Sequence, residues 1–277
     1  MVRSKALFAL MLGFMLTGCG GAEEPEITAM PASEPVPVQT EVPLTQMRYE
    51  GPLLPLRELC DELGYELEIL GGNYATIEGR ELEYFPEQGY MSFNGRYLYA
   101  PDGWETAEDG IMLEANAAAK ILGLDVKQEG ESLVVDITRS AILPGGEGYY
   151  DVHFDMDMLY WLPQIISSEA GNQPLAGQIA VGNVVMNRIN SERFPNDIAS
   201  VIYDMAGAVQ FEPVINGSIK NEPEGSSLVA AYLCLEGYNT AGNSLFFMNP
   251  SCGVTWFDAE LELVTVIGEH NFYNYKE

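Results

Sequence analysis

The segment "LAGQIAVGNVVMNRI", from Leu175 to Ile189, is the feature that most restricts the fold of this chain. At 3.6 residues per turn it forms a helix with apolar or small side chains on nearly every face. A helix without a polar face is stable only where other elements surround it. The pattern therefore predicts a buried central helix. Its polar residues Asn183, Asn187 and Arg188 then need partners, either in the core or in a site.

The segment before it, "FDMDMLYWLPQIISSEAG", has apolar residues at helical spacing from residue 158 to residue 166. We predict a helix that begins near Asp157 or at Pro163 and stops near Gly171. Glu169 then lies in the last turn, where the helix dipole disfavours a carboxylate. Because residues that break a local rule are often functional, Glu169 is a candidate for catalysis.

The first nineteen residues combine two basic residues with the apolar run "ALFALMLGFML", which is typical of a secretory signal. Their end, "LTGC", resembles a bacterial lipobox. That resemblance implies cleavage before Cys19, a lipid on Cys19, and an exported protein anchored on the outer face of the cytoplasmic membrane. Residues 20–47 are rich in Pro and Glu without an apolar period, and we predict a disordered tether.

The net charge of −28 argues against a nucleic-acid partner, because the chain has too few cations to neutralise phosphates. Three further cysteines, Cys60, Cys234 and Cys252, would lie in a compartment that permits disulfides. Cys234 and Cys252 belong to the same predicted domain and could pair, which would leave Cys60 as a buried thiol. The sequence leaves this pairing open.

Two segments of the first half, "LLPLRELCDELGYELEI" and "MLEANAAAKILGLDVKQ", follow one plan. In each, a helical pattern stops at Leu-Gly and is followed by alternating residues typical of a strand. With "YATIEG" and "SLVVDIT" as further strands, the order helix, strand, turn, strand occurs twice. Residues 48–138 resemble the duplicated unit of the copper amine oxidase N-terminal-like domain.

The name of that domain does not imply copper chemistry here, because residues 48–138 contain no histidine. We interpret them as a spacer or a wall-contacting domain. The aromatic residues of "YFPEQGYMSFNGRYLYAP" either contact glycan or form the core of strands. Residues 139–153 contain the Pro- and Gly-rich linker "LPGGEG".

In residues 154–277, five motifs follow one another: "SEAGNQPLAGQIAVGNVVMNRI", "FPNDIASVIYD", "QFEPVINGSI", "AGNSLFFMNP" and "IGEHNFY". They resemble the spore cortex-lytic, cell wall hydrolase family. The resemblance implies an α+β chain, in which a small duplicated accessory domain precedes a compact, helix-rich domain similar to lytic transglycosylases and lysozymes. It also implies that Glu169 is the catalytic acid. The family's usual Arg-Gly-Glu-Pro is replaced by "GNQP", so a salt bridge to a basic residue there is not expected.

Other motif residues would bind the peptidoglycan glycan strands rather than react. Asp197 or Asn196 would cap a short helix, while Tyr203 and Trp256 belong either to the core or to a sugar platform. The candidates for substrate binding are Gln210, Phe211, Asn249, Pro250 and His270. In this interpretation Phe211 stacks on a sugar face, Asn249 and Pro250 shape the cleft, and His270 either binds substrate or supports the cleft.

One motif glutamate favours a lytic transglycosylase that cuts the MurNAc–GlcNAc bond without metal or cofactor. A two-carboxylate muramidase would need a second acid, either Glu212 or Asp204. A zinc amidase would need several imidazoles, and the chain contains only His153 and His270. The remaining alternative is a catalytically inactive, wall-binding lipoprotein.

Overall fold

The computed structural model of the protein describes residues 46–101, 103–108, 110–145, 156–205, 211–253 and 256–276. The predicted signal sequence, Cys19, nearly all of the tether and much of the linker lie outside these residues. In the described ranges, every helix is too short or too polar to cross a membrane.

The accessory region contains the duplicated unit that the sequence predicts. The first copy is α1 (Leu56–Leu63), β3 (Leu67–Gly71) and β4 (Tyr74–Ile77), and the second is α2 (Ala115–Leu122), β10 (Asp125–Glu129) and β11 (Ser132–Asp136). Each helix ends at a glycine in the left-handed region, Gly64 at φ 70° and Gly123 at φ 65°. Glycine adopts this conformation without steric cost, so both stops are fixed locally.

The other strands of this region complete three antiparallel sheets. They are β1 (Gln46–Glu50), β2 (Leu53–Pro55), β5 (Arg80–Phe85), β6 (Tyr90–Phe93), β7 (Arg96–Tyr99), β8 (Trp104–Ala107) and β9 (Gly110–Glu114). The strand orders are β1-β11-β10, β2-β9-β8 and β3-β4-β5-β6-β7. Their buried faces and the two helices share one apolar core.

The second half is rich in helices and ends in a small sheet, in agreement with the predicted α+β class. Its elements are α3 (Met156–Ala170), α4 (Leu175–Ile189), α5 (Ile198–Ile202), α6 (Glu212–Asn216), α7 (Gly225–Leu235), β12 (Phe246–Met248), α8 (Trp256–Glu260), β13 (Leu261–Ile267) and β14 (His270–Tyr275). Two short 3₁₀ turns, Ser218–Lys220 and Pro250–Cys252, flank α7 and β12. The sheet order is β12-β14-β13.

Helix α4 is the buried central helix that its sequence predicts. It packs closely at Gly182, where an added Cβ would lie 2.6 Å from Cys234 Sγ and 2.8 Å from Ile166 Cδ1. Helix α3 passes through Pro163 without interruption, and Asp197 caps α5 by accepting a hydrogen bond from the Ser200 N–H at 2.8 Å.

The polar residues of α4 find their partners in the segment 238–245. Asn183, Asn187 and Arg188 donate to backbone carbonyls of this segment at 2.9, 2.9 and 2.8 Å. Hydrogen bonding offsets the cost of burying these groups. The helix thereby fixes the loop that leads into β12.

The accessory region and the helical region are joined by polar and aromatic contacts. Arg96 of β7 forms a bidentate ion pair with Glu236, both N···O distances being 2.7 Å, and the Glu236 side chain is only 5% exposed. Beside it, the rings of Tyr97 and Tyr232 stack at 5.6 Å. Lys120 also lies 3.7 Å from the Glu236 carboxylate.

The three cysteines of the described regions are free thiols. Cys60 is buried, as expected if it stays unpaired. The possible bridge between Cys234 and Cys252 is absent, because Cys234 is buried against α4 whereas Cys252 is exposed in a 3₁₀ turn. Burial raises the pKa of the Cys60 thiol to about 12 and that of Cys234 still further.

Candidate active site

Glu169 is the penultimate residue of α3, so its predicted position in the last turn is confirmed. The helix stops because the chain turns sharply after it: Gly171 N–H donates to the Ser167 carbonyl and Gln173 N–H to the Ala170 carbonyl, at 3.1 and 2.9 Å. The helix is buried before the acid at residues 162–166, which include Ile165 and Ile166. The carboxyl is thus attached to a rigid, well-packed helix.

The pKa of Glu169 is raised from its usual 4.5 to about 7. Burial is the largest cause, because a low-dielectric setting disfavours the charged carboxylate. The negative charge of Glu212 raises the pKa further, and the positive charge of Arg188 lowers it. At neutral pH a large fraction of this group therefore carries a proton, which is the state that a general acid needs.

Arg188, on the central helix α4, is a cation whose charge acts on Glu169. It is 3% exposed, and its Nε donates to the Leu245 carbonyl at 2.8 Å. Its guanidinium carbon lies 5.0, 5.1 and 5.5 Å from three ring centroids, those of Phe194, Phe211 and Phe246. Such cation–π contacts partly replace the lost hydration.

Burial lowers the pKa of Arg188 to about 10, so the guanidinium is charged at neutral pH. The carboxylates of Asp204 and Glu169 and the Tyr275 hydroxyl act in the opposite direction. The replacement of the family's Arg-Gly-Glu-Pro by "GNQP" therefore does not leave Glu169 without a cation. The sequence signal for this role was an arginine in an otherwise apolar helix, but sequence analysis did not assign it to Glu169.

Two glutamines brace the turn that follows Glu169. Gln173 donates from Nε2 to Glu269 Oε2 at 3.3 Å and accepts the Glu269 N–H at 2.9 Å, which ties the turn to the hairpin between β13 and β14. Gln178 donates to the Gln173 carbonyl at 3.0 Å and accepts from the Ser227 hydroxyl at 3.0 Å. The substituted residue Gln173 thus has a structural role at the end of α3.

Phe211 does not have the predicted role of an open sugar platform in this structure, because it is only 1% exposed. Its ring lies against the Arg188 guanidinium and 6.3 Å from the ring of Phe247. His270 is 7% exposed and lies edge-on to Phe247 at 5.4 Å. Burial lowers the pKa of His270, and its ring packs against Phe247 and Phe272.

The other predicted binding residues lie at the surface or outside the described regions. Asn249 is partly exposed and caps a 3₁₀ turn, accepting the Ser251 N–H at 2.9 Å. Pro250 is exposed. Gln210 falls in residues 206–210, outside the part of the chain that the structure describes. Tyr203 is 39% exposed and packs edge-on against Trp161 at 5.4 Å.

Glu212 is an exposed residue at the start of α6, close enough for its charge to act on Glu169. It is therefore the described carboxylate best placed to serve as a second acid. In the described ranges, no group of three or more His, Cys, Asp or Glu side chains could hold a metal ion.

Comparison with known proteins relates this region to enzymes of the bacterial cell wall. Residues 172–273 match the model of the Cell Wall Hydrolase family, and Glu169 lies three residues before this match. The spore cortex-lytic enzyme of Oceanobacillus iheyensis is 29% identical over 135 residues, which are 49% of this chain and 45% of that protein. The corresponding enzyme of Bacillus subtilis is 29% identical over 133 residues, 48% of this chain and 40% of that protein.

Among solved structures, the catalytic domain of the germination-specific lytic transglycosylase SleB from Bacillus anthracis is 25% identical. The match covers 44% of this chain and 98% of that domain, with a TM-score of 0.41. The chain spans less than half the length of the two curated relatives.

Proposed function

We propose that this chain is a peptidoglycan-cleaving enzyme that cuts the MurNAc–GlcNAc bond with Glu169 as its catalytic acid. The observation that carries the proposal is the raised pKa of about 7 for a carboxyl in the last turn of α3, one turn after the buried residues Ile165 and Ile166. A general acid is most effective when its pKa lies near the working pH. The match to the Cell Wall Hydrolase family and the two spore cortex-lytic relatives support peptidoglycan as the substrate.

The mechanism that we favour is lytic transglycosylation. Protonated Glu169 donates its proton to the glycosidic oxygen as the bond to muramic acid C1 breaks. The resulting carboxylate then takes the proton from the muramic acid 6-hydroxyl, whose oxygen attacks C1. A 1,6-anhydro end is formed, no water is consumed, and Glu169 regains its proton. The surroundings of Glu169 suit both proton transfers. Burial raises the pKa of the carboxyl, which favours the acid form, and the charge of Arg188 stabilises the carboxylate that follows.

A two-carboxylate muramidase is the second candidate, because the charge of Glu212 acts on Glu169. In that mechanism Glu212 would activate a water or stabilise the cationic sugar. The two mechanisms make opposite predictions for Glu212→Gln: a muramidase would lose its activity, whereas a transglycosylase would keep activity of the same order.

The setting that we propose is the outer face of the cytoplasmic membrane, with the chain held by a lipid on Cys19 and by the tether of residues 20–47. The two curated relatives are named for spore cortex, so cortex peptidoglycan is the substrate to test first, beside vegetative wall.

The proposal is tested by turbidity loss of purified cortex and vegetative sacculi with the full chain. We expect Glu169→Gln to lower the rate by about 10²–10⁴-fold, the usual contribution of a positioned acid. The matched control is Glu222→Gln, an exposed carboxylate in the loop before α7. Unchanged activity in Glu169→Gln would overturn the mechanism.

A further inference from the structure

A cleft of about 900 Å³ lies between the accessory region and the helical region. The turn between β5 and β6 and the end of β7 form one wall, and the α3–α4 turn and the first residues of α7 form the other. The side chains that matter for its chemistry are Phe85, Tyr90, Tyr99, Asn172 and Ser226.

The two walls are held together by packing rather than by the linker alone. Tyr90, Tyr97 and Tyr99 of the accessory region pack against the apolar core of the helical region. Four rings form a continuous series across the two regions: Phe85 stacks on Tyr90 at 4.6 Å, Tyr90 meets Tyr97 edge-on at 5.8 Å, and Tyr97 stacks on Tyr232 at 5.6 Å. The bidentate ion pair between Arg96 and Glu236 also connects the accessory region to the helical region. The cleft is therefore a built feature of one compact unit that extends over residues 44–277.

The lining suits a neutral sugar. Partly exposed aromatic rings on one side offer flat apolar faces, and amide and hydroxyl groups on the other offer hydrogen bonds. Helices α4 and α7 both begin at the cleft, and neither has a side-chain cap among the described residues. Their first N–H groups can donate to an acceptor such as an acetamido carbonyl.

The charge of the lining disfavours an acidic ligand. Glu87 is the one charged residue among the described lining residues, and Glu224 lies next to Gly171 at the border of the cleft. A stem peptide carries several carboxylates, and it would meet two carboxylates and no cation here. An N-acetylated glycan avoids this repulsion.

The cleft also begins next to the catalytic residue. Gly171 lines it, and it follows Glu169 by two residues, so their Cα atoms lie within about 7 Å. A polymer that occupies the cleft is thus close to the helix end that carries the acid.

We propose that this cleft is a second glycan-binding site, which the accessory and helical regions form together and which holds N-acetylated sugar units of the polymer. The inference rests on the proposed function, because the polymer held is the one that Glu169 cleaves. It assigns the accessory region a direct part in substrate binding, beyond that of a spacer.

The test is a substitution that places a larger side chain in the cleft at a position where the fold tolerates it. A Cβ added at Gly225, the first residue of α7, meets no atom within 4 Å, and the residue has no left-handed backbone. Gly225→Leu places an apolar side chain in the cleft. Gly72→Leu is the matched control, an exposed glycine of the β3–β4 turn with equally open surroundings. Asn172→Ala removes one polar lining group and is the second variant.

Binding is measured in the full chain with Glu169→Gln, so that the polymer is not consumed. The probes are oligomers of N-acetylglucosamine, which are neutral N-acetylated glycans, and, separately, free stem peptides. We expect Gly225→Leu to weaken glycan binding by about ten-fold, the loss of a few hydrogen bonds and a ring contact. Asn172→Ala should weaken it less, and Gly72→Leu should not change it. Thermal unfolding of each variant shows that the fold is kept.

Equal glycan affinity in Gly225→Leu and Gly72→Leu overturns the inference. The inference is also overturned if Gly225→Leu loses binding to stem peptides while it keeps its binding to glycan. The failure of the proposed function gives a different result: the chain with intact Glu169 then cleaves no sacculi, whereas glycan binding still responds to Gly225→Leu.

Discussion

The raised pKa of Glu169 predicts that this acid destabilises the folded protein above neutral pH. The pKa is 4.5 in an ordinary setting and about 7 in the folded chain. Because one pKa unit corresponds to about 1.4 kcal/mol, the ionised carboxylate costs roughly 3 kcal/mol of folding free energy. Partial solvent access reduces this, and we expect about 2 kcal/mol.

The direction of this change in stability with pH follows from the higher pKa in the folded state, which holds the Glu169 proton more tightly than the unfolded chain does. Below pH 4.5 the carboxyl is protonated in both states and costs nothing. As the pH rises from 4.5 to about 7, the unfolded chain releases its proton first, so this group makes the folded state progressively less stable. Glu169→Gln stays neutral throughout. The variant should match the parent near pH 4 and exceed it in unfolding free energy at pH 8.

Urea denaturation of the parent and Glu169→Gln at several pH values measures this difference. Glu222→Gln, which removes an exposed carboxylate, serves as the control and should show no comparable pH-dependent gain. If Glu169→Gln is no more stable than the parent at pH 8, burial does not perturb this carboxyl, and the argument for a general acid fails.

Three further predictions test the site and its support. Glu212→Gln should lower the pKa of Glu169 and move the alkaline limb of the pH–rate profile to lower pH, with activity of the same order; a loss above about a hundred-fold would favour the muramidase. Arg96→Ala removes the bidentate partner of a buried carboxylate that Lys120 still partly neutralises, and should lower the urea-unfolding free energy by about 2–3 kcal/mol, whereas Arg48→Ala, from an exposed pair, should cost little. In a thiol titration with Ellman's reagent, Cys252 should react in the folded state, and only unfolding should expose two more thiols, Cys60 and Cys234.

The elements that follow local patterns could be predicted from the sequence. The apolar period of α4 and the glycine stops of α1 and α2 depend on residues within a few positions of each other. The prediction of Glu169 in the last turn of α3 rests on the same kind of information, and the structure confirms it.

The surroundings of Glu169 could not be predicted, because they join distant parts of the chain. Phe194, Phe211 and Phe246 come from three separate segments and meet at Arg188 in the folded chain. Phe211 looks like a sugar platform in its motif, yet its ring is buried against that cation. The sequence gives no pattern that pairs these residues.

The contact between the accessory region and the helical region is a second feature that local sequence patterns do not predict. The Pro- and Gly-rich linker predicts separate domains, whereas Arg96 and Glu236, 140 residues apart, form a buried pair. The aromatic run between β5 and β7 was interpreted as strand core or glycan contact. Phe93 is buried in the core, while Tyr90 and Tyr99 line the cleft.

The most direct test of the central claim is mass spectrometry of the muropeptides that the full chain releases from cortex and vegetative sacculi. The account predicts products with 1,6-anhydro-muramic ends, and their loss in Glu169→Gln. Reducing ends from a chain that needs both Glu169 and Glu212 would contradict single-carboxylate transglycosylation and establish a hydrolase instead.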